Sequence, residues 1–84
     1  FLMNNEFALT QARSLAKRLL REVSRDETAR IVRAYRILFG RPANSAEIEI
    51  ARELLGEVDD DDPLTPWADL VHVLFCSNEF VYLD

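Results

Sequence analysis

The sequence is poor in the residues on which most site chemistry depends. It has a single cysteine, so no disulfide closes within the chain and no all-cysteine metal site forms. Its single histidine, His72, leaves little acid–base chemistry near neutral pH. A haem attachment needs a Cys-x-x-Cys-His run, which is absent, and two isolated glycines build no phosphate-cradling loop. The longest apolar run falls far short of the roughly 18 residues that span a bilayer, so no membrane span is expected. Serines 14, 24, 45 and 77 have no matched histidine and acid at a recognisable spacing, which leaves nucleophilic catalysis without support. With two glycines and three prolines, little interrupts helical segments.

What is present is 49% hydrophobic and 30% charged over 84 residues, enough for one core and no room for two. The expectation is a single domain over residues 1–84. The chain opens at Phe1, and Phe1 to Asn5 form neither a charged leader nor a signal core, so it reads as a fragment of a larger protein. Charge is divided unevenly. Before Ala43 there are nine basic and four acidic residues; from Ala43 onward there are one and eleven, within a net charge of −5.

Four stretches carry a 3.6-residue apolar rhythm and none a sustained period of two, which predicts an all-α, four-helix bundle-like domain with short loops. The first helix is expected at about 6–23, with Phe7, Ala12, Leu15, Ala16, Leu19 and Val23 on one face and Arg13, Lys17, Arg21 and Arg25 on another. The second is expected at about 26–39, opening on Asp26 and Glu27 and burying Ile31, Val32, Tyr35, Leu38 and Phe39. Gly40 stands where a left-handed cap is wanted, and Pro42 cannot continue the helix. Asn44 and Glu47 form a capping box for a third helix at about 45–57, with Ile48, Ala51, Leu54, Leu55 and Val58 inward. Thr65 as cap and Pro66 at the first position predict a fourth helix at about 66–77, apolar around most of its circumference and so the most buried. Glu79 to Asp84 are too apolar for a free tail and are expected to lie across the bundle or against a neighbour. The centre is expected to be Trp67, Leu70, Leu74 and Phe75 against Leu15, Leu19, Val32, Tyr35, Leu38, Leu54 and Leu55.

Arg30-Ile31, Ala34-Tyr35, Leu38-Phe39-Gly40-Arg41-Pro42 with Glu47, Trp67-Ala68-Asp69-Leu70 and the closing Ser77-Asn78-Glu79-Phe80-Val81-Tyr82-Leu83-Asp84 carry a resemblance, supported by Asn5 and Gln11 to Ala16. The chain resembles the C-terminal end of the planctomycete-specific domain family, a family of unknown function. The resemblance implies a large, exported bacterial protein that also carries planctomycete cytochrome c-like modules. It departs at Cys76, where the family pattern has Asn. The same skeleton is similar, more faintly, to helical modules of phycobilisome linkers and bacterial surface proteins, which implies a scaffold for assembly. Neither likeness carries over a catalytic residue or a cofactor.

The remaining candidates are surface features. His72 and Cys76 share a helical face but supply two metal ligands at most, and that face is otherwise apolar. Asp59 to Asp62 are consecutive and followed by Pro63, unlike the alternating ligands of a calcium loop, and read as a solvated connector. The basic residues lack interleaved aromatics in a chain of pI about 4.8, which disfavours nucleic acid. They are expected to pair with Glu49, Glu53 and Glu57, or with a partner surface. Arg41 and Glu79 are expected to lock two helix ends together by a bidentate contact. With Asn78, Trp67 and Tyr35 they are the structural or interaction candidates; no catalytic, metal or cofactor residue is assigned. The expected role is structural or in protein interaction, without enzymatic activity, the partner being the rest of the parent polypeptide or another protein. The alternative is an accessory part of a ligand-binding or catalytic site whose main residues lie upstream, marked by a polar cleft gathering Arg41, Asn78 and Glu79.

Overall fold

A computed structural model describes residues 6–83, with the side chains of 78–83 excepted. Four helices follow one another, α1 (Glu6–Glu22), α2 (Glu27–Phe39), α3 (Ser45–Leu55) and α4 (Leu64–Leu83), and among the described residues there is no strand. The all-α architecture is as the apolar rhythm predicts.

Local signals place three of the ends. Asp26 caps α2 by accepting a hydrogen bond from the Ala29 N–H (3.1 Å). Gly40 ends the same helix at φ 73°, where a Cβ is strained, and its N–H closes on the Arg36 carbonyl at 3.0 Å. The capping box of α3 is complete: Asn44 accepts from the Glu47 N–H (2.8 Å) and Glu47 from the Asn44 N–H (3.0 Å). Its other end comes earlier than the apolar pattern suggests, because Gly56 turns the backbone to φ 62°, ψ −146°. Val58 consequently leaves the helix and packs against the core from the connector.

The start of α4 lies two residues earlier than expected, because Asp62 takes over the role assigned to Thr65. Its carboxylate accepts from the Thr65 N–H (3.3 Å) and hydroxyl (2.7 Å), so Thr65 is capped rather than capping. The helix also runs past Ser77 to Leu83, so the closing segment continues α4 and does not turn across the bundle.

Between its first turn and Ser77, α4 buries Trp67, Ala68, Leu70, Val71, His72, Leu74 and Cys76, a set that extends around the helix. Such a helix must be enclosed, and the other three each contact it. The closest partner is α1, which presents Ala8, Ala12, Ala16 and Leu19. Alanines at four-residue spacing form a smooth strip that lets two helix axes approach. Phe7, expected inside, is instead 64% exposed, since a large ring on the strip would hold α1 off α4. From α2 the buried residues are Ile31, Ala34 and Tyr35, with Leu38 and Phe39 packed on the edge; Val32 is half-buried.

The third helix makes the narrowest contribution, Ala51 and Leu55 with Ile48 partly covered. Leu54 is 56% exposed and so does not belong to the centre, because the inward stripe runs through positions 48, 51 and 55. Phe75 sits half-buried at the rim. Full burial of a Trp67, Leu19, Ile31, Leu70 or Val71 side chain stabilises by about 1.5–3 kcal/mol each before entropy is counted, so apolar packing outweighs any surface ion pair.

The alanine strip gives a direct test. Ala16→Leu is expected to destabilise the chain by about 1–3 kcal/mol in urea denaturation, whereas Ala46→Leu on the exposed face of α3 should change it by less than about 0.5 kcal/mol. Equal stability of the two variants contradicts close α1–α4 packing.

Candidate functional site

The most highly organised polar group lies in the turn between α2 and α3. Gly40 reverses the chain and Pro42 stiffens it, so Arg41 projects back over the last turns of α2. Its guanidinium stands 5.7 Å from the centroid of the Tyr35 ring and 5.8 Å from that of Phe39. Those rings contact each other at 5.1 Å and 34°. On its far side Arg41 meets Glu47 with two parallel hydrogen bonds of 2.8 Å, Nη1 to Oε1 and Nη2 to Oε2, and Nη1 also donates to the Pro42 carbonyl at 3.2 Å. This is the planar fork-to-carboxylate contact that arginine makes and lysine does not.

Glu47 thus serves two neighbours at once. Hydrogen bonds from Arg41, then from the Asn44 N–H, hold its carboxyl down at about 2 from an ordinary 4.5. The same pairing raises Arg41 further above its usual value. Burial, followed by the negative charge of Glu47, pushes the Tyr35 phenol up, and the Arg41 cation partly offsets this. All three groups therefore hold fixed protonation states through the neutral range. The cluster clamps a helix–turn–helix corner and has no group poised to exchange a proton.

The expected partner of Arg41 was Glu79. The bidentate contact is made by Glu47, and Asn78 and Glu79 have side chains outside the described residues. Of the candidates, Arg41 and Tyr35 come together, joined by Phe39 and Glu47, while Trp67 belongs to a second cluster.

That second cluster is built on Arg30, whose role the sequence did not disclose. From the first turn of α2, Arg30 donates to the Val23 carbonyl through Nε (3.3 Å) and Nη2 (3.2 Å), and to the Leu20 carbonyl through Nη2 (3.4 Å). It thereby satisfies carbonyls that the end of α1 leaves open. Its guanidinium lies 5.9 Å from the Trp67 ring centroid, so one side chain ties α1, α2 and α4. An open cleft of about 350 Å³ adjoins it, lined by Arg25, Glu27, Arg30, Asp60, Trp67 and neighbours, with cations and carboxylates interspersed.

The acidic connector is folded on itself. Asp59 Oδ1 accepts from the Asp61 N–H (2.9 Å), the Asp59 carbonyl from the Asp62 N–H (3.1 Å), and Asp62 caps α4. His72 and Cys76 are both buried and engaged, and among the described residues no group of three or more potential ligands gathers. No helix is long and apolar enough to cross a membrane among the described residues.

The expected pairing of the basic α1 face with α3 does not occur, because α1 and α3 do not touch. Ion pairs form locally: Glu22 receives Arg18 (3.2 Å), Arg33 (3.6 Å) and Arg21 (3.7 Å). Between α2 and α3 the polarity is the reverse of that expected, Arg52 of α3 meeting Glu27 (3.5 Å) and Thr28 of α2.

Residues 1–55 match the family described as PSD1, a protein of unknown function (DUF1553). The chain belongs to this planctomycete-specific domain family. No curated protein and no solved structure matches it. The PSD1 match takes in α1, α2 and α3 and ends on the last residue of α3, so it contains both the Arg41–Glu47 corner and Arg30; α4 lies beyond it.

The depressed Glu47 value fixes a pH dependence. A carboxyl whose folded value lies below its unfolded one stabilises above about 4.5, and that contribution is lost as pH falls toward about 2. On acidification from pH 4.5 to 2, the melting temperature of the native chain should fall more steeply than that of Glu47→Gln. Parallel profiles contradict the corner as described.

Proposed function

We propose that this PSD1 chain is a helical protein-interaction module without catalytic activity of its own, serving at the C-terminal end of a larger bacterial protein. The observation that carries the reading is the placement of large apolar side chains on outer helix faces: Phe7 (64% exposed), Ile50 (58%) and Leu54 (56%). Ile50 and Leu54 are one turn apart on the same face of α3, away from its buried stripe. Scattered apolar residues need no explanation, but a pair on one helix face is surface suited to a partner. The polar clusters support the same reading. Arginine and carboxylate groups are engaged in fastening helix ends, and neither cluster offers the nucleophile, base and oxyanion donors that an active site requires. The partner is the rest of the parent polypeptide or another protein.

Hydrogen exchange tests this. In the natural polypeptide that carries the module, amides of 7–10 and 48–55 should exchange several-fold more slowly than in the 84-residue chain. Identical rates at both segments, with the 84-residue chain kept dilute and at high salt so that it is monomeric, contradict an interaction of these faces with the rest of the parent polypeptide.

A further inference from the structure

Two rows of like charge face solvent on helices that never meet. On α1, Arg13, Lys17 and Arg21 repeat every four residues, continued in the connector by Arg25, and Leu9 (42% exposed) stands one turn before them in the same row. On α3, Glu49 and Glu53 repeat at the same spacing, Glu57 follows just beyond the helix, and the exposed Ile50 and Leu54 lie alongside. Among the described residues Arg13, Lys17, Arg25, Glu49, Glu53 and Glu57 make no ion pair, and Arg21 makes only a 3.7 Å contact with its neighbour Glu22. Within one molecule the helical parts of the two rows cannot meet, since α1 and α3 share no contact.

Four residues of helix advance about 6 Å, so the two rows have the same repeat and present complementary charge wherever one α1 lies along another α3. The apolar residues match as well: Leu9 on the basic row, Ile50 and Leu54 beside the acidic one. We infer that the occupant of the α3 outer face is the α1 face of a second copy of this chain, in a head-to-tail contact. This rests on the interaction reading above and names its partner. A contact between two different surfaces leaves a free α1 at one end and a free α3 at the other, so copies add in a row unless the rotation between them closes a ring. Exposed pairs are individually weak and screened, so the association is modest and falls steeply with salt.

Sedimentation equilibrium on the chain tests this. At about 20 mM salt the average mass should rise with protein concentration, and at about 500 mM the dissociation constant should weaken by at least about tenfold. Lys17→Glu and Glu53→Lys, both at exposed positions, should each weaken association by a similar factor while far-UV circular dichroism is unchanged. The double variant K17E/E53K should associate again, and an equimolar mixture of the two single variants should associate in alternation although neither does so alone, since both of its mixed contacts pair opposite charges at positions 17 and 53. A chain that stays monomeric at low salt overturns the inference, as does association that ignores salt or is not recovered by the double exchange. Slowed exchange of 48–55 in the natural polypeptide, combined with a monomeric chain, sinks this inference alone and leaves the interaction role standing with a different partner.

Discussion

The constraint from which the rest follows is that α4 is apolar nearly all the way round and must be enclosed. Trp67, Leu70, Val71 and Leu74 leave only the narrow row of Thr65, Asp69 and Ser77 to solvent, so the three other helices have to cover the rest. An 84-residue chain has little material for that task. Small residues solve one side: Ala8, Ala12 and Ala16 bring α1 close enough for α4 to be covered by backbone and short side chains. The other sides are covered by narrow strips from α2 and α3, and this leaves the outer faces of α1 and α3 free to carry charge and apolar side chains unrelated to the core.

Two arginines hold this arrangement at its ends by the same chemistry. Each lays a planar cation beside aromatic rings while its N–H groups reach oxygen atoms on a neighbouring element. Arg30 connects the end of α1 to Trp67 through backbone carbonyls; Arg41 connects the rings of α2 to the first turn of α3 through Glu47. A lysine at either place supplies the charge but not the flat fork. Because α1 and α3 share no contact, the molecule retains its uneven charge on the surface instead of neutralising it inside.

Features governed by nearest neighbours in the chain were legible before any coordinates. The Gly40 cap, the Asn44–Glu47 box and the all-round apolarity of α4 depend on a few consecutive residues. Choices made by the surroundings were not legible. Phe7 and Ala8 are equally plausible inward residues until the spacing of α1 from α4 is known, and Leu54 loses to Leu55 because the face of α3 that meets the core runs through positions 48, 51 and 55. Glu47 and Glu79 are chemically equal partners for Arg41; the sharp turn at Gly40 puts Glu47 within reach. Pairing of the α1 cations with α3 failed as an expectation because periodicity reports which residues share a face and is silent about which faces meet.

Trp67 is the sole tryptophan and is buried on α4 beside Arg30, so its fluorescence reports the enclosure of α4 while circular dichroism reports all four helices. If enclosure of α4 is what holds the fold, urea unfolding followed by the two signals gives superimposable transitions with one midpoint. A Trp67 transition that is complete while most helical signal survives would contradict the account, because α1, α2 and α3 would then be holding together without the helix they enclose.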